Sequence, residues 1–241
     1  MDGKRLKLDT VPAPARLGGV QPGRRRWLVK LYGFFRSSAA FRTRIALNLK
    51  GIDYDQVPVN IRANVQREAD YLAVNPMGIV PTLIDGDIVV DQSLAIIEYL
   101  DETHPTPALL PAAPADRARV RALAMDVACE IHPVNNLRVR RYLLHDLHQD
   151  EAALEQWMNH WTKLGFDGIE PRLAGDRRTG DFCHGDTPGI ADICLVPGVF
   201  NARIYPSFDL APYPTIMRIF ENCMRLAPFQ RALPERQPDA V

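Results

Sequence analysis

A cluster of prolines divides this chain into two stretches of different periodicity. His104-Pro105-Thr106-Pro107 is followed by Leu109-Leu110-Pro111 and Pro114. Proline lacks a backbone N–H and fixes its own φ, so neither a helix interior nor a central strand runs through such a cluster. It reads as a linker. Before it, β-prone runs alternate with helical patterns; after it, strand signals almost vanish. The expected fold is an α/β unit followed by an all-α unit, with the boundary near residue 108.

Within the first unit, Val29-Lys30-Leu31-Tyr32 alternates and predicts a strand. Ser37 and Ser38 offer caps, and Phe41, Ile45 and Leu49 recur at i, i+4 and i+8. That pattern predicts a helix ending at Gly51, with Lys50 well placed for the dipole. Residues 54–59 read as a second strand and residues 68–74 as a short helix. Thr82-Leu83-Ile84 and Ile88-Val89-Val90 flank Asp85-Gly86-Asp87, a hairpin signal. Residues 93–102 predict another helix, giving β-α-β-α-β-β-α. Beyond the linker, helical character covers residues 116–144, 150–173, 190–204 and 214–226. Arg42 and Arg44 follow an amphipathic pattern that assigns them to the helix surface or a dimer contact. Trp157 and Trp161, four apart, are expected to pack in the core.

Charge and cysteine content narrow the class. Lys plus Arg and Asp plus Glu are both 29, which argues against a nucleic-acid binder. The balance is uneven along the chain: residues 1–27 carry seven basic and two acidic side chains. Residues 1–26 mix Pro, Gly and Arg without an apolar period and are expected to be a disordered leader. Cys129, Cys183, Cys194 and Cys223 form no CxxC pair. Such spacing points to reduced thiols in the cytoplasm rather than a disulfide scaffold. No apolar run approaches the roughly 20 residues that span a bilayer, so no membrane partner is expected. His145-x-x-His148 and Cys129-x-x-His132 have too few ligands for a metal site.

Two helix starts carry chemistry. Arg36-Ser37-Ser38 lies where a strand meets a helix, and Gln92-Ser93 opens the helix after the hairpin. A helix N-terminus presents unpaired N–H groups and about half a positive charge, so it stabilises a carboxylate or a thiolate. Simple capping by Ser37 or Ser93 explains the same residues. Val80-Pro81 precedes the third strand, and a cis bond there would aim the Val80 backbone groups outward.

Ordered motifs extend across both halves. Phe35-Arg36-Ser37-Ser38, Asn75-Pro76-Met77, Val80-Pro81-Thr82-Leu83 and Gln92-Ser93-Leu94 lie in the first half. Ile131-His132-Pro133, Asn135-Asn136, Ala191-Asp192 and Leu195-Val196-Pro197 lie in the second. From Val29 to Asp239 the chain resembles the zeta class of glutathione transferases, the maleylacetoacetate and maleylpyruvate isomerases. The resemblance implies a thioredoxin-like domain over residues 27–107, a helical domain over residues 108–241, and a homodimer. Ser37 takes the place of the serine that stabilises the glutathione thiolate, and Ser38 falls at the second serine of that motif. Val80 would meet the cysteinyl part of glutathione, and Gln92 and Ser93 its γ-glutamyl end. His132 would contact glutathione or substrate. Since the resemblance begins at Val29, residues 1–28 are expected to be a mis-assigned leader or a disposable tail.

Two positions depart from the pattern. The Ser-Ser-Cys of the family reads Ser37-Ser38-Ala39, and no other cysteine is near in sequence. Many relatives carry an arginine where this chain has Ile204; Arg203 is one residue early, about 100° around a helix. Cis–trans isomerisation needs a nucleophile that adds and leaves, making the double bond temporarily single. Cations must then meet the charge of a dicarboxylate. Arg36 and Arg138, with Asn136 nearby, are the candidates. The implied activity is glutathione-dependent isomerisation of a maleyl keto acid in aromatic catabolism, maleylacetoacetate to fumarylacetoacetate. Alternatives are maleylpyruvate as substrate, conjugation or dehalogenation of small electrophiles, and glutathione binding without catalysis.

Overall fold

The computed structural model describes residues 28–240. The expected leader and Trp27 lie outside the described residues. Four strands form one mixed sheet in the order β2-β1-β3-β4: β1 Val29–Gly33, β2 Tyr54–Pro58, β3 Thr82–Asp85 and β4 Ile88–Asp91. β1 and β2 run parallel, Val29 opposite Tyr54, so the chain needs a crossover between them. Helix α1, Ser38–Leu49, is that crossover. β3 runs antiparallel to β1 with Leu31 opposite Leu83, and β3 turns into β4 through Gly86 at φ 60°. A left-handed φ is free of steric cost only for glycine. Pro58 lies on edge strand β2, where its missing N–H costs least.

Strand alternation sets the two layers. Leu31 faces α1 and α3 (Ser93–Thr103), joining Phe41, Ile45, Leu47, Ile96, Ile97 and Leu100 in the main core. Tyr32, its neighbour, faces the other way and packs with Val59 and with Tyr71 of α2, Ala69–Val74. The β-α-β-α-β-β-α order read from the sequence is the order observed.

Arg42 and Arg44 correct the sequence reading. Both are buried in α1, at 3% and 0% exposure. Arg44 donates from Nε to the Ala232 carbonyl at 3.0 Å and from Nη2 to the Phe35 carbonyl at 2.9 Å. Its charge is carried into the core because peptide oxygens replace the water it loses. Burial lowers its pKa to about 10, leaving it charged.

The linker is pinned rather than slack. Lys50 is buried and its Nζ donates to Asp101 and to the His104 carbonyl, both at 2.7 Å, and to the Pro107 carbonyl. Asp101 also accepts from the Leu109 N–H at 2.7 Å. The Thr106–Pro107 bond is cis.

The helical region holds α4 Pro114–Met125, α5 Leu137–Arg141, α6 Glu151–Ala174, α7 Ile190–Ala202, α8 Pro214–Met224 and α9 Ala227–Arg231. The single helix expected over residues 116–144 is interrupted. α4 widens into a π-helical turn over Asp126–Ile131, a turn follows through residues 132–136, and α5 starts afresh. α7 is mostly apolar, is buried along most of its length and lies in the main core, so that core runs unbroken from the sheet into the helices. Its start is held by Asp192, buried, which accepts from the N–H groups of Gly189 at 2.9 Å and Cys183 at 2.8 Å. Trp157 and Trp161 pack on each other, half-buried, with centroids 5.7 Å apart. Among the described residues, no helix is long and apolar enough to cross a membrane.

Candidate active site

A cavity of about 450 Å³ opens where the loops at one end of the sheet meet the π-helical turn after α4, α5 and the end of α7. That size suits a small-molecule site. Every site residue named from the sequence lines it: Arg36, Ser37, Ser38, Val80, Gln92, Ser93, His132, Asn136 and Arg138. The β1–α1 turn, the loop before β3 and the β4–α3 turn converge from one side. The interrupted α4–α5 segment, the segment after β2 and the end of α7 supply the rest.

Ser37 is the N-cap of α1: its φ and ψ are extended, and its Oγ accepts from the Ala40 N–H at 3.2 Å. Capping and ligand contact are not exclusive, because the hydroxyl keeps its donor for a bound anion. Ser38 Oγ accepts from Asn201 Nδ2 of α7 at 2.7 Å, which ties the first turn of α1 to the helical region. At α3, Gln92 holds a left-handed φ of 63° and makes no side-chain cap. The first N–H groups of α3 are therefore left to a ligand or to water. The Val80–Pro81 bond is cis, and Val80 lines the cavity. Gln66, 9% exposed, lines it too, and its Oε1 is a buried acceptor with no protein partner.

The second wall is cationic. Arg36, Arg42, Arg62, Arg67, Arg138, Arg140 and Arg141 line the cavity, and no Asp or Glu does. Arg36 has its pKa lowered by burial and then by the like charges of Arg62 and Arg140. Arg42 donates from Nη2 to His132 Nδ1 at 2.9 Å. A guanidinium only donates, so His132 accepts at Nδ1 and carries its proton on Nε2. Burial, Arg42 and Arg138 push its pKa down to about 3, so the ring is neutral at ordinary pH. Asn136 caps α5, accepting at Oδ1 from the N–H groups of Arg138 at 3.0 Å and Val139 at 3.2 Å. Its neighbour Asn135 is buried, with Oδ1 unpartnered at the cavity wall. Arg141 reaches across to the loop after β2, donating to Asn64 Oδ1 at 2.5 Å and to the Arg62 carbonyl at 2.7 Å.

Several of these residues escape a sequence reading. Gln66, Arg62 and Asn201 belong to no motif, and only folding brings them to the wall. The pair Arg140-Arg141 beside Arg138 is a basic run that marks a cationic helix face. Cys129 is distant from Ala39 in sequence, yet both line the cavity. A protein thiol is therefore present in the site, from the π-helical turn after α4 rather than from the start of α1. Ile204 also lines the cavity, at 41% exposure. Arg203 does not replace it: its guanidinium lies 4.4 Å over the Phe220 ring.

The α/β sheet, the cis proline and the anion-ready helix starts define a class, and residues 28–102 match the glutathione S-transferase N-terminal domain family. The maleylacetoacetate isomerase of Rhizobium meliloti (strain 1021) is 49% identical over 207 residues, covering 86% of this chain and 96% of that protein. A holo structure of maleylpyruvate isomerase, a bacterial zeta-class glutathione S-transferase, superposes with a TM-score of 0.86 at 47% identity. It covers 88% of this chain and all of that one. A maleylacetoacetate isomerase from Methylobacterium extorquens AM1, solved with bound malonate and glutathione, gives a TM-score of 0.85 at 44% identity. It covers 88% of this chain and 99% of that one. The chain belongs to the zeta class of glutathione transferases, the family that includes the maleylacetoacetate and maleylpyruvate isomerases.

Proposed function

We propose that this protein is a glutathione-dependent cis–trans isomerase of a maleyl keto acid, converting maleylacetoacetate to fumarylacetoacetate in aromatic catabolism, with maleylpyruvate the alternative substrate. One observation carries the reading. A capped helix N-terminus opens into a cavity ringed by seven arginines and no carboxylate. Arginine in this number suits a substrate with two anionic ends beside the carboxylates of glutathione.

Glutathione supplies, when bound, the sulfur nucleophile that adds to the substrate's C=C bond and leaves after rotation. The residues present fit it: a free acceptor at Gln66 Oε1, uncapped N–H groups at the start of α3, and Val80 beside them. Ser37 and the α1 N-terminus stabilise a thiolate against its proton. Ser38 keeps that turn fixed on α7 through Asn201. Gln92 and Ser93 take a carboxylate of glutathione at the α3 N-terminus, and His132 donates from Nε2. Arg36 and Arg138 take the substrate's carboxylates, and Asn136 holds Arg138 in place by capping its helix. Residues 27–107 form the glutathione-binding unit and residues 108–241 the helical unit. The working form is a cytoplasmic homodimer, a reading supported by the four unpaired cysteines and by the family.

The test is glutathione-dependent isomerisation by Ser37→Ala and Arg36→Ala. Each variant loses about 10²–10³-fold in kcat/KM, as expected when a charge-stabilising group is removed. Unchanged turnover in both variants refutes the proposal.

A further inference from the structure

The arginines around the cavity are not equivalent. Arg42 is engaged by His132, and Arg141 by Asn64 and the Arg62 carbonyl. Arg62 lies over the Phe34 ring at 5.9 Å. Among the described residues, the side chains of Arg36, Arg67, Arg138 and Arg140 make no hydrogen bond or ion pair within the protein. Arg140 stands apart even from these. Its Nε is buried and unpartnered, and its side chain lines the cavity. A guanidinium N–H shut away from other protein acceptors is a costly group that a bound anion would satisfy.

The surroundings say what that ligand is. Arg140 is close enough to Arg36 for each charge to bear on the other, and both bear on Tyr205, whose hydroxyl is also buried and unpartnered. No carboxylate lines the cavity to neutralise them. Ile204 brings an apolar side chain to the same cavity, and Arg203 is stacked on Phe220. No cation therefore reaches the site from the end of α7.

We propose that Arg140 of α5 is a specificity-determining residue that, together with Arg36, binds one carboxylate of the substrate and supplies the charge that position 204 lacks. The planar fork of arginine suits a carboxylate bidentately, and a lysine would offer a point charge instead. The assignment rests on the anionic substrate proposed above. It requires only that the cavity take a short dicarboxylate.

Malonate, the dicarboxylate held by a solved relative, is the probe. Calorimetric titration of malonate into the glutathione-saturated protein compares wild type, Arg140→Leu and Arg140→Lys. Arg140→Leu weakens malonate by about 10–100-fold, the loss of a charge-assisted pair, and Arg140→Lys falls between. Glutathione affinity stays within about two-fold in both variants, as for an independent site, and this also reports that they fold. Malonate affinity unchanged in either variant, or no malonate binding by wild type, overturns the assignment. A wild type that binds malonate but isomerises neither keto acid refutes the isomerase reading, and Arg140 is then judged on malonate alone.

Discussion

His132 makes the protein acid-sensitive in a way that one substitution removes. In the folded state its Nδ1 accepts from Arg42, and burial beside Arg42 and Arg138 pushes its pKa from 6.5 down to about 3. Well above pH 6.5 both folded and unfolded rings are neutral, so the group adds no pH dependence there. As pH falls below 6.5 the unfolded ring takes a proton that the folded ring refuses, and stability is lost until pH reaches about 3. Between pH 7 and pH 5 that difference is worth about 2 kcal/mol, at roughly 1.4 kcal/mol per pH unit. His132→Gln keeps an acceptor for Arg42 and removes the titration. Urea unfolding of both proteins at pH 7 and pH 5, at one protein concentration, isolates the term, because every other group titrates in both. Wild type should lose about 2 kcal/mol more than His132→Gln. Equal losses would mean that His132 titrates alike in the folded and unfolded chains, and that burial beside Arg42 and Arg138 does not hold its pKa down.

Other consequences follow from the same contacts. Cys129 is exposed in the cavity, whereas Cys183, Cys194 and Cys223 are buried with their thiol pKa values pushed up, that of Cys194 to about 11. A maleimide should therefore label one thiol in the native protein, and saturating glutathione should slow that labelling; mass spectrometry of the labelled peptide checks both. Asp192→Ala strips the acceptor from the buried N–H groups of Gly189 and Cys183. It should lower the unfolding free energy by about 2–4 kcal/mol without altering glutathione affinity in the fraction that folds. Arg44→Met leaves the Phe35 and Ala232 carbonyls unpaired in the core and should cost about 2–4 kcal/mol, measured by denaturant titration. A shift under 1 kcal/mol would mean that water replaces the guanidinium.

The legible parts of the fold are those whose cause is local. The Asp85-Gly86-Asp87 turn, the serine cap of α1 and the proline linker each depend on residues adjacent in sequence, and each stands where the residues imply. Arg44 is buried against the helix pattern because its acceptors are the carbonyls of Phe35 and Ala232, the second 188 positions away. A helical wheel treats an arginine as solvated and cannot see two distant peptide oxygens. The break before α5 is similar. Apolar spacing continues on both sides of residues 132–136, so periodicity alone joins them into one helix. Of the site, the two helix starts and Val80-Pro81 were legible because each has a stated chemical use. The cationic wall was only partly so: Arg36 and Arg138 stood beside recognisable motifs, while Arg62, Arg140 and Arg141 were brought there by the fold.

The central claim is that glutathione is used and regenerated rather than consumed. The most direct measurement follows isomerisation of maleylacetoacetate and of maleylpyruvate as glutathione is added to the full-length protein, with free thiol titrated before and after. The account predicts no turnover without glutathione, a saturable rise as it is added, many turnovers per glutathione, and unchanged thiol at the end. Turnover in its absence, or loss of one thiol per product formed, would contradict it.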